Sequence, residues 1–373
     1  MGKFGLNIFE YIGYCNNILA RNKQTFATMK KLKMKKNQKC VFVTGGTGFI
    51  GTHLVEDLLD QGEFVVVVDL GQESWQKQNR KRLENNPNVK FYTLDIRDRQ
   101  SLLEKLFQSK PHRIFHLAAE SHVDKSITDP ALFFESNVRG TVALLEAVTN
   151  YWHTTRPKSF RFHYCSTDEV YGSIEKGSFR ETFPIHPNNP YSASKAAGEH
   201  FVTAWANTHK LPVIITRSSN NYGTHQGPDK FIPLTIGRCL RREPVLLHGN
   251  GQNVRDWIHV RDHCQAILHA VNHGRLGEVY NIGGGLSSEK SNLQIVEFLC
   301  DCVDELRDDP IMTSRKLIQF VEDRPGNDFR YSMDALKLQQ ETRWQTTIPF
   351  EVGLMETVKW YLDNNDYCTR NTR

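Results

Sequence analysis

The residues with the clearest chemical potential in this 373-residue chain are a tyrosine and a lysine four positions apart. In a helix, Tyr191 and Lys195 would lie on one face, which places a phenol beside an ammonium. A free tyrosine titrates near about 10, so a base at neutral pH needs a pKa lowered by about three units, or roughly 4 kcal/mol. A nearby positive charge lowers the pKa of a phenol. The pair predicts proton transfer, although the same spacing also occurs as an ordinary surface pair.

A second chemical signal is the run Thr167-Asp168-Glu169, in which two carboxyl groups stand next to a hydroxyl. Like charges this close raise one pKa, so one carboxyl can stay protonated while the other stays ionised. Neighbours in a straight strand point to opposite faces, so both carboxyls can meet one substrate only if the strand has ended. The run predicts an acid and a base. The alternative is a helix N-terminus, where acidic residues are favourable.

Alternating strand and helix patterns surround these two segments. Apolar, β-branched runs predict strands at 40–44, 64–69, 90–95, 113–118, 161–166 and 211–217, and helical periodicity fills the gaps, including 100–108 and 131–151. This alternation predicts an α/β fold with a doubly wound parallel sheet of the Rossmann type. After residue 219 the elements become shorter, with short strands predicted at 245–248 and 279–282. The predicted division is a basic, disordered extension at 1–39, an NAD-binding domain at 40–219 and a smaller, mainly substrate-binding C-terminal region at 220–373.

The cofactor is predicted from a glycine-rich loop after the first strand. Gly45, Gly48 and Gly51 form a G-x-x-G-x-x-G pattern that opens a helix, as a pyrophosphate-binding loop requires. Asp69 ends the next strand, where a carboxylate accepts hydrogen bonds from ribose hydroxyls and repels a 2′-phosphate. We therefore predict NAD rather than NADP, and its positive nicotinamide ring would help to lower the pKa of Tyr191. Ordinary tight turns are the alternative for both features.

Composition narrows the classes of ligand and location that the sequence allows. The formal net charge is +5, and residues 1–39 alone carry nine Lys and Arg against one Glu, so the rest gives no argument for nucleic-acid binding. No apolar run reaches 18 residues, so no membrane span is predicted. Eight scattered cysteines lack metal-site spacing, which predicts no metal and reduced thiols in the cytoplasm. The basic segment is predicted to be a disordered extension, with a mitochondrial transit peptide as the alternative.

From Cys40 to about Tyr361 the sequence resembles the dTDP-glucose 4,6-dehydratases, a nucleotide-sugar branch of the extended short-chain dehydrogenase/reductase family. The glycine loop, the Thr-Asp-Glu run and the Tyr-x-x-x-Lys pair carry the resemblance, together with residues 116–124, 216–223, 255–257, 280–283 and 323–331. It implies a homodimeric, NAD-retaining lyase that converts dTDP- or UDP-glucose to the 4-keto-6-deoxy sugar by hydride transfer from carbon 4 to carbon 6. A UDP-sugar 4-epimerase or decarboxylase on the same scaffold is one alternative, but those enzymes generally lack the Thr-Asp-Glu run. A non-catalytic NAD-binding protein is the other.

The resemblance also implies residue roles. Asp168 would be the general acid, Glu169 the general base and Tyr191 the base for hydride transfer, with Thr167 and Lys195 completing the catalytic set. The implied cofactor-binding residues are Gly45, Gly48, Phe49, Ile50, Gly51, Asp69, Asp95, Ile96, Leu117, Ala118, Ala119, Tyr191, Lys195 and Asn221. The implied substrate-binding residues are Ser121, Thr167, Asn220, Lys230, Phe231, His248, Arg255, Asn281, Arg324 and Asn327.

Three departures from the family pattern bear on the nucleotide. Asn327 stands where the family usually has histidine, and His248 where it has an aromatic tyrosine beside the base. The segment after Asp69, Leu70-Gly71-Gln72-Glu73, replaces the usual one. The choice between thymine and uracil therefore stays open. The catalytic residues are untouched by these changes.

Overall fold

Short apolar strands form the centre of the protein. The structure, a computed structural model, describes Met34, residues 38–323 and residues 327–369. Residues 65–68 are four consecutive valines, all with fully buried side chains. Such runs are typical of parallel strands covered by helices on both faces. The strands are β1 (Cys40–Thr44), β2 (Phe64–Asp69), β3 (Val89–Thr93), β4 (Arg113–His116), β5 (Arg161–Thr167), β6 (Val213–Ser218), β7 (Asn220–Tyr222), β8 (Val245–His248), β9 (Val254–His259), β10 (Val279–Ile282), β11 (Glu289–Ser291) and β12 (Ile318–Val321).

Helices connect most of these strands. They are α1 (Phe49–Asp60), α2 (Ser74–Leu83), α3 (Arg99–Ser109), α4 (Val123–Thr128), α5 (Pro130–Phe133), α6 (Thr141–Thr155), α7 (Pro190–His209), α8 (Phe231–Arg241), α9 (Val260–His273), α10 (Asn292–Leu306), α11 (Leu336–Thr342), α12 (Phe350–Asp363) and α13 (Asn365–Thr369). A π-helical segment, Phe134–Gly140, joins α5 to α6, and short 3-10 turns cover Asp168–Tyr171, Leu286–Ser288 and Ser314–Leu317.

The main sheet has seven strands in the order β10-β6-β5-β4-β1-β2-β3, and every neighbouring pair is parallel. The chain moves outward from β1 to β2 and β3, then returns to the other side of β1 with β4. A crevice opens at the carboxyl ends of the strands where the order reverses, which is where ligands bind in such sheets. The predicted doubly wound parallel sheet is confirmed. Two small sheets, β11-β9-β7 and β12-β8, lie outside it.

Helices cover both faces of the main sheet. Leu54 of α1 and Ile267 of α9 belong to the apolar cluster on one face. Leu106 of α3, Leu144 of α6 and Val202 of α7 belong to the cluster on the other face. A third cluster joins α8, α10 and α12 beside the sheet. The two layers hold the crevice open at one edge of a rigid core.

Residues after 219 contribute to both parts of the protein. Strand β10 extends the main sheet by pairing with β6, and α9 packs on α1. Helix α11 packs on α9 and β10, with Leu338 in the first cluster, whereas α8, α10 and α12 form the region around the third cluster. The predicted functional division between residues 40–219 and 220–373 stays a proposal.

The helix predicted at 131–151 differs from the structure in its first turns. Residues 134–140 form the π-helical segment, and its wide turn directs Asn137 inward. The Asn137 side chain exchanges hydrogen bonds with the backbone of Glu120, at 2.8 and 2.9 Å, and its Nδ2 donates to Ser194 Oγ at 2.8 Å. Apolar periodicity cannot reveal such a turn, because its cause is a side chain that must reach distant partners.

None of the helices within residues 38–323 and 327–369 has the length and apolar character needed to cross a bilayer. The same residues contain no group of three or more His, Cys, Asp or Glu side chains arranged to hold a metal ion. The predicted basic extension at 1–39 falls outside the described residues, apart from Met34, Gln38 and Lys39.

Candidate active site

The glycine loop after β1 lies against the end of β4 with no room for side chains. Gly45 has φ +74°, and a Cβ there would lie 2.6 Å from the backbone nitrogen of Ala118. A Cβ on Gly51 would collide with the carbonyl oxygen of Gly45. Gly48 precedes the first residue of α1, and no side chain caps that helix end. The loop therefore leaves a helix N-terminus open to an anion, as a pyrophosphate requires.

Asp69 is fixed at the end of β2 by the same loop. Its Oδ2 accepts hydrogen bonds from the backbone nitrogen and the hydroxyl of Thr47, at 2.9 and 2.6 Å, and its Oδ1 accepts from Gly71 N at 3.1 Å. An ionised carboxylate has about four acceptor positions, so one is left for a ribose hydroxyl. Its negative charge opposes a 2′-phosphate at the same place. The local geometry fits NAD.

A cleft of about 680 Å³ runs from this loop along the carboxyl ends of the strands. Every residue predicted to bind the cofactor lines it: Gly45, Gly48, Phe49, Ile50, Gly51, Asp69, Asp95, Ile96, Leu117, Ala118, Ala119, Tyr191, Lys195 and Asn221. Thr167, Asp168 and Glu169 line the same cleft. The structure thus brings the predicted cofactor and catalytic residues together, and their binding roles stay predictions.

The two carboxyl groups enter the cleft because β5 ends at Thr167. A one-turn 3-10 helix begins there, with Thr167 Oγ1 accepting from Glu169 N at 3.3 Å. The same hydroxyl donates to Asp168 Oδ1 at 3.1 Å. Asn189, which precedes α7, donates from Nδ2 to Glu169 Oε2 at 3.3 Å. The strand end and the helix start, which the sequence analysis gave as alternatives, are therefore both present. Together they place the two neighbouring carboxyl groups in the same cleft.

The surroundings of these acids shift their protonation. Burial, with the charge of Glu169 adding to it, raises the pKa of Asp168 to about 8. Burial also raises the pKa of Glu169, although the hydrogen bond from Asn189 opposes that shift. The positive charges of Arg255 and Lys230 oppose it as well. At neutral pH this arrangement favours a proton on Asp168, while three neighbouring groups favour the charged form of Glu169.

Tyr191 and Lys195 both lie on α7, four residues apart, and the ammonium of Lys195 binds the backbone of β5. Lys195 is buried, and its Nζ donates to the carbonyl oxygen of Cys165 at 2.6 Å. Burial and the charge of Glu169 raise the pKa of Tyr191 well above its usual value, and the hydrogen bond with Thr167 opposes this shift. The hydrogen bond to Cys165 leaves the charge of Lys195 in place, and the expectation that this charge lowers the pKa of Tyr191 stays a prediction.

Unpaired polar atoms mark where a ligand can fit. Buried polar atoms almost always have hydrogen-bond partners. Six cleft-lining residues nevertheless have a buried oxygen without a protein partner: Ser166, Asp168, Ser219, Asn220, Asn221 and Gln226. Their concentration in one cleft indicates that a polar ligand such as a dinucleotide or a sugar nucleotide completes the hydrogen bonding.

The predicted substrate residues fall into two groups. Ser121, Thr167, Asn220 and Lys230 line the cleft, and Lys230 Nζ donates to the carbonyl oxygen of Ser121 at 3.3 Å across its mouth. Five others do not line it: Phe231, His248, Arg255, Asn281 and Asn327. Arg324 lies outside the described residues.

Two of those five are occupied by the protein itself. The Asn281 amide donates to Phe179 O at 2.9 Å and accepts from the Tyr171 hydroxyl at 2.8 Å, so both ends of the amide are used. Arg255 donates to the carbonyl oxygens of Val254, Asp328 and Phe329 and to Asn327 Oδ1. Arg255 therefore braces the 327–329 segment next to the two acids. A pyrophosphate contact by Arg255 would require it to exchange these partners.

The other three also have partners within the protein. Asn327 donates from Nδ2 to Asp323 Oδ1 at 2.8 Å. The Phe231 ring stacks on Trp257, with ring centroids 6.3 Å apart. His248 Nδ1 lies 3.0 Å from the carbonyl oxygen of Glu322. Their predicted contacts with the nucleotide stay predictions.

Asn189 is the site residue that the sequence analysis missed. It caps α7 by accepting from Ser192 N at 2.9 Å, and it also holds Glu169. An asparagine followed by Pro190 is a typical start of a helix, with proline at the first helical position. That signal could have placed the start of α7 and a polar side chain close to Tyr191.

Comparison with known proteins agrees with this geometry. A protein-family model described as GDP-mannose 4,6 dehydratase matches residues 42–357. The dTDP-glucose 4,6-dehydratase of Haemophilus influenzae is 46% identical over 335 residues, covering 87% of this chain and 98% of the relative. That of Neisseria gonorrhoeae is 42% identical over 338 residues, covering 88% and 97%.

Solved structures show the same relationship. DesIV, a dTDP-glucose 4,6-dehydratase from Streptomyces venezuelae crystallised with NAD, superposes with a TM-score of 0.80 at 38% identity, covering 88% of this chain and 99% of the other. A UDP-glucose 4-epimerase from Thermotoga maritima reaches a TM-score of 0.76 at 29% identity, covering 87% and 99%. The chain therefore belongs to the GDP-mannose 4,6 dehydratase family and, within it, to the dTDP-glucose 4,6-dehydratases of the extended short-chain dehydrogenase/reductase type.

Proposed function

We propose that this protein is an NAD-dependent dehydratase that converts dTDP-glucose to the 4-keto-6-deoxy sugar. The observation that carries the proposal is the pair Asp168 and Glu169 at the end of β5, in the same cleft as Tyr191. Epimerisation at carbon 4 needs only a proton acceptor and a hydride carrier, so it has no task for two further acids. Elimination of water needs both an acid and a base. The pair therefore favours dehydration over epimerisation.

The residues present divide the work as follows. Bound NAD supplies a hydride acceptor and later a hydride donor. Burial raises the pKa of Tyr191, so this residue would take the proton of the carbon-4 hydroxyl once the positive nicotinamide ring of bound NAD lowers that pKa. The ketone at carbon 4 then acidifies carbon 5, and Glu169 removes that proton. Asp168 gives its proton to the carbon-6 hydroxyl, which leaves as water. The 4-keto-6-deoxy product then requires return of the hydride to carbon 6 and of a proton to carbon 5, which Glu169 would supply.

The nucleotide base is proposed from the relatives. Those at 41–46% identity are named as dTDP-glucose enzymes, which supports thymine over uracil. Lys230 stands at the mouth of the cleft with a positive charge suited to a diphosphate. Arg324, which the sequence analysis includes among the implied substrate-binding residues, stays part of the proposal.

A homodimer is proposed from an apolar surface on neighbouring helices. Ile127 of α4, Phe134 of the π-helical segment and Phe201 of α7 are exposed at 40%, 58% and 39%. α4 and the π-helical segment both contact α7, so these side chains come from neighbouring elements. Clustered exposed apolar side chains are typical of contact surfaces. A second copy of the chain would cover them.

We also propose a cytoplasmic location. The seven cysteines within the described residues are all free thiols. Free thiols are expected where the surroundings are reducing.

The choice of cofactor can be tested at Asp69. We expect NAD to bind much more tightly than NADP, because the carboxylate repels a 2′-phosphate. Asp69→Ala should lower the ratio of the NADP and NAD dissociation constants by about tenfold or more, as expected for removal of a charged contact worth about 1.5–3 kcal/mol. Both nucleotides are titrated calorimetrically against the protein freed of cofactor. Asp98→Ala, which removes an exposed carboxylate outside the cleft, serves as the control. Equal affinities in the unchanged protein would defeat the assignment.

The proposed reaction can be tested with labelled hydrogen. Substrate deuterated at carbon 4 should deliver its label to carbon 6, because one bound cofactor takes and returns the hydride. Reaction in deuterated water should place one solvent deuterium at carbon 5. Proton NMR and mass spectrometry of the product read both positions, with dTDP-glucose and UDP-glucose compared. A label kept at carbon 4 in a galactose-configured product would overturn the dehydratase in favour of an epimerase.

The separate task of Glu169 can be tested by removing its charge. Glu169→Gln should still oxidise carbon 4 and accumulate bound NADH, while water elimination slows about 10²–10⁴-fold, as expected for loss of a general base. Tyr191→Phe should lose both steps. Stopped-flow absorbance of the reduced nicotinamide follows the first step, and product analysis follows the second. Glu175→Gln, an exposed glutamate in the following loop, is the control. Near-normal turnover in Glu169→Gln would remove this residue from the mechanism.

A further inference from the structure

The 224–228 loop forms one border of the cleft on the side of the glycine loop. Gln226, Gly227 and Pro228 line the cleft together with Trp75 of α2. Gly227 lies directly on that indole, since a Cβ at this glycine would be 2.9 Å from the ring. A dinucleotide in the cleft would therefore lie between this loop and the glycine loop. The position of the 224–228 loop decides how easily such a ligand can leave.

The end of the chain holds this loop from outside. Tyr361 of α12 donates from its hydroxyl to Gln226 O at 2.7 Å. The hydroxyl of Tyr367, in α13, lies 2.9 Å from His225 O. The His225 ring packs against Trp360, with ring centroids 4.4 Å apart. Two hydroxyls and one aromatic contact thus fix successive residues of the loop, and all of them come from residues 360–367.

Asn79 links the contacts made by residues 360–367 to the glycine loop. Its Nδ2 donates to Thr47 O at 3.1 Å and, at 3.4 Å, to His225 O. Its Oδ1 lies 3.0 Å from the Tyr367 hydroxyl, whose single proton is shared between Asn79 and His225. Asn79 and Tyr367 are both buried. One side chain therefore contacts the glycine loop, the 224–228 loop and the chain end.

The helix that follows the glycine loop makes a fourth contact. Nε2 of His53 in α1 lies 2.9 Å from Thr224 O. Burial lowers the pKa of His53 to about 4, so this histidine is neutral at physiological pH and donates one hydrogen bond. The loop is thus held from α1, α2, α12 and α13 together.

We propose that Asn79, Tyr361 and Tyr367 are positioning residues that keep the 224–228 loop closed over the cofactor and so slow the release of NAD. The proposal rests on the proposed function, because it takes NAD as the ligand. Release requires the loop to move away from the glycine loop, and that movement breaks the hydrogen bonds of Tyr361 and Tyr367. A net hydrogen bond is worth about 0.5–1.5 kcal/mol, so each hydroxyl should slow dissociation severalfold. The residues act on the cofactor through the loop and touch no substrate.

The test measures the dissociation rate of NAD rather than turnover. Protein loaded with isotope-labelled NAD is mixed with excess unlabelled NAD, and the retained label is followed by mass spectrometry after rapid gel filtration. Tyr367→Phe and Tyr361→Phe keep the ring packing and remove one hydroxyl each. Each should release NAD about fivefold faster, the rate change that corresponds to one net hydrogen bond. Asn79→Ala should release it faster still, and combining it with Tyr367→Phe should add little, because both act in one network.

Tyr151→Phe is the matched control. Its hydroxyl is also buried and also donates to a backbone carbonyl, that of Pro111 at 2.9 Å, but it lies away from the cleft. It should lower the thermal midpoint like the other two variants and leave the release of NAD unchanged. Hydrogen exchange of the amides at 224–228 should rise in Tyr367→Phe and not in Tyr151→Phe.

Two outcomes would contradict the proposal, and they can be told apart. If the unchanged protein retains NAD and all three Tyr→Phe variants release it at the same rate as the unchanged protein, Tyr361 and Tyr367 do not control release and this inference is overturned. If the unchanged protein binds no NAD, the proposed function fails, and the inference fails with it. Faster release of NAD in Tyr367→Phe and Tyr361→Phe, with no change in Tyr151→Phe, supports the proposal.

Discussion

Burial of the Asp168 carboxyl beside the half-buried Glu169, at the end of β5, is the constraint on which the arrangement of the cleft depends. Removing carboxylates from water is costly unless they are neutralised or hydrogen-bonded. The protein meets this cost differently at the two positions. Burial raises the pKa of Asp168 to about 8, so this group stays neutral at physiological pH. Glu169 instead receives the amide of Asn189 and the field of Arg255. The two neighbours therefore differ in the groups that act on their charge, and a paired acid and base require such a difference in environment.

Other parts of the structure fix the position of the end of β5 and of the two carboxyl groups that follow it. Strand β5 must stop at Thr167, and its neighbours on both sides in the main sheet fix where it stops. Helix α7 must begin at Asn189 to bring that side chain to Glu169 and Tyr191 to the cleft. The π-helical segment adds a further brace, because its Asn137 ties the end of β4 to α7. The sheet and helices thus set the positions of groups that lie far apart along the chain.

Local sequence was sufficient to predict the features whose causes are local. The glycine loop, the valine-rich β2 and the Thr167-Asp168-Glu169 run each follow from short-range backbone and charge requirements, and the structure places them together. Residues whose partners come from distant segments were harder. Asn281 suggested a substrate contact, yet Tyr171 and Phe179 use both ends of its amide. No pattern around Lys195 indicates that its ammonium binds a carbonyl of β5.

The central claim is that Asp168 holds a proton at neutral pH, and carbon-13 NMR of labelled aspartate carboxyl groups in the cofactor-free protein tests it most directly. The resonance that disappears in Asp168→Asn identifies the group. Because burial raises its pKa, the carboxyl should be protonated at pH 7, ionise as the pH rises through about 8, and be fully ionised well above that value. Dehydration should decline over the same range as the proposed acid is lost. A resonance that titrates near about 4, the value of an exposed aspartate, would contradict the account.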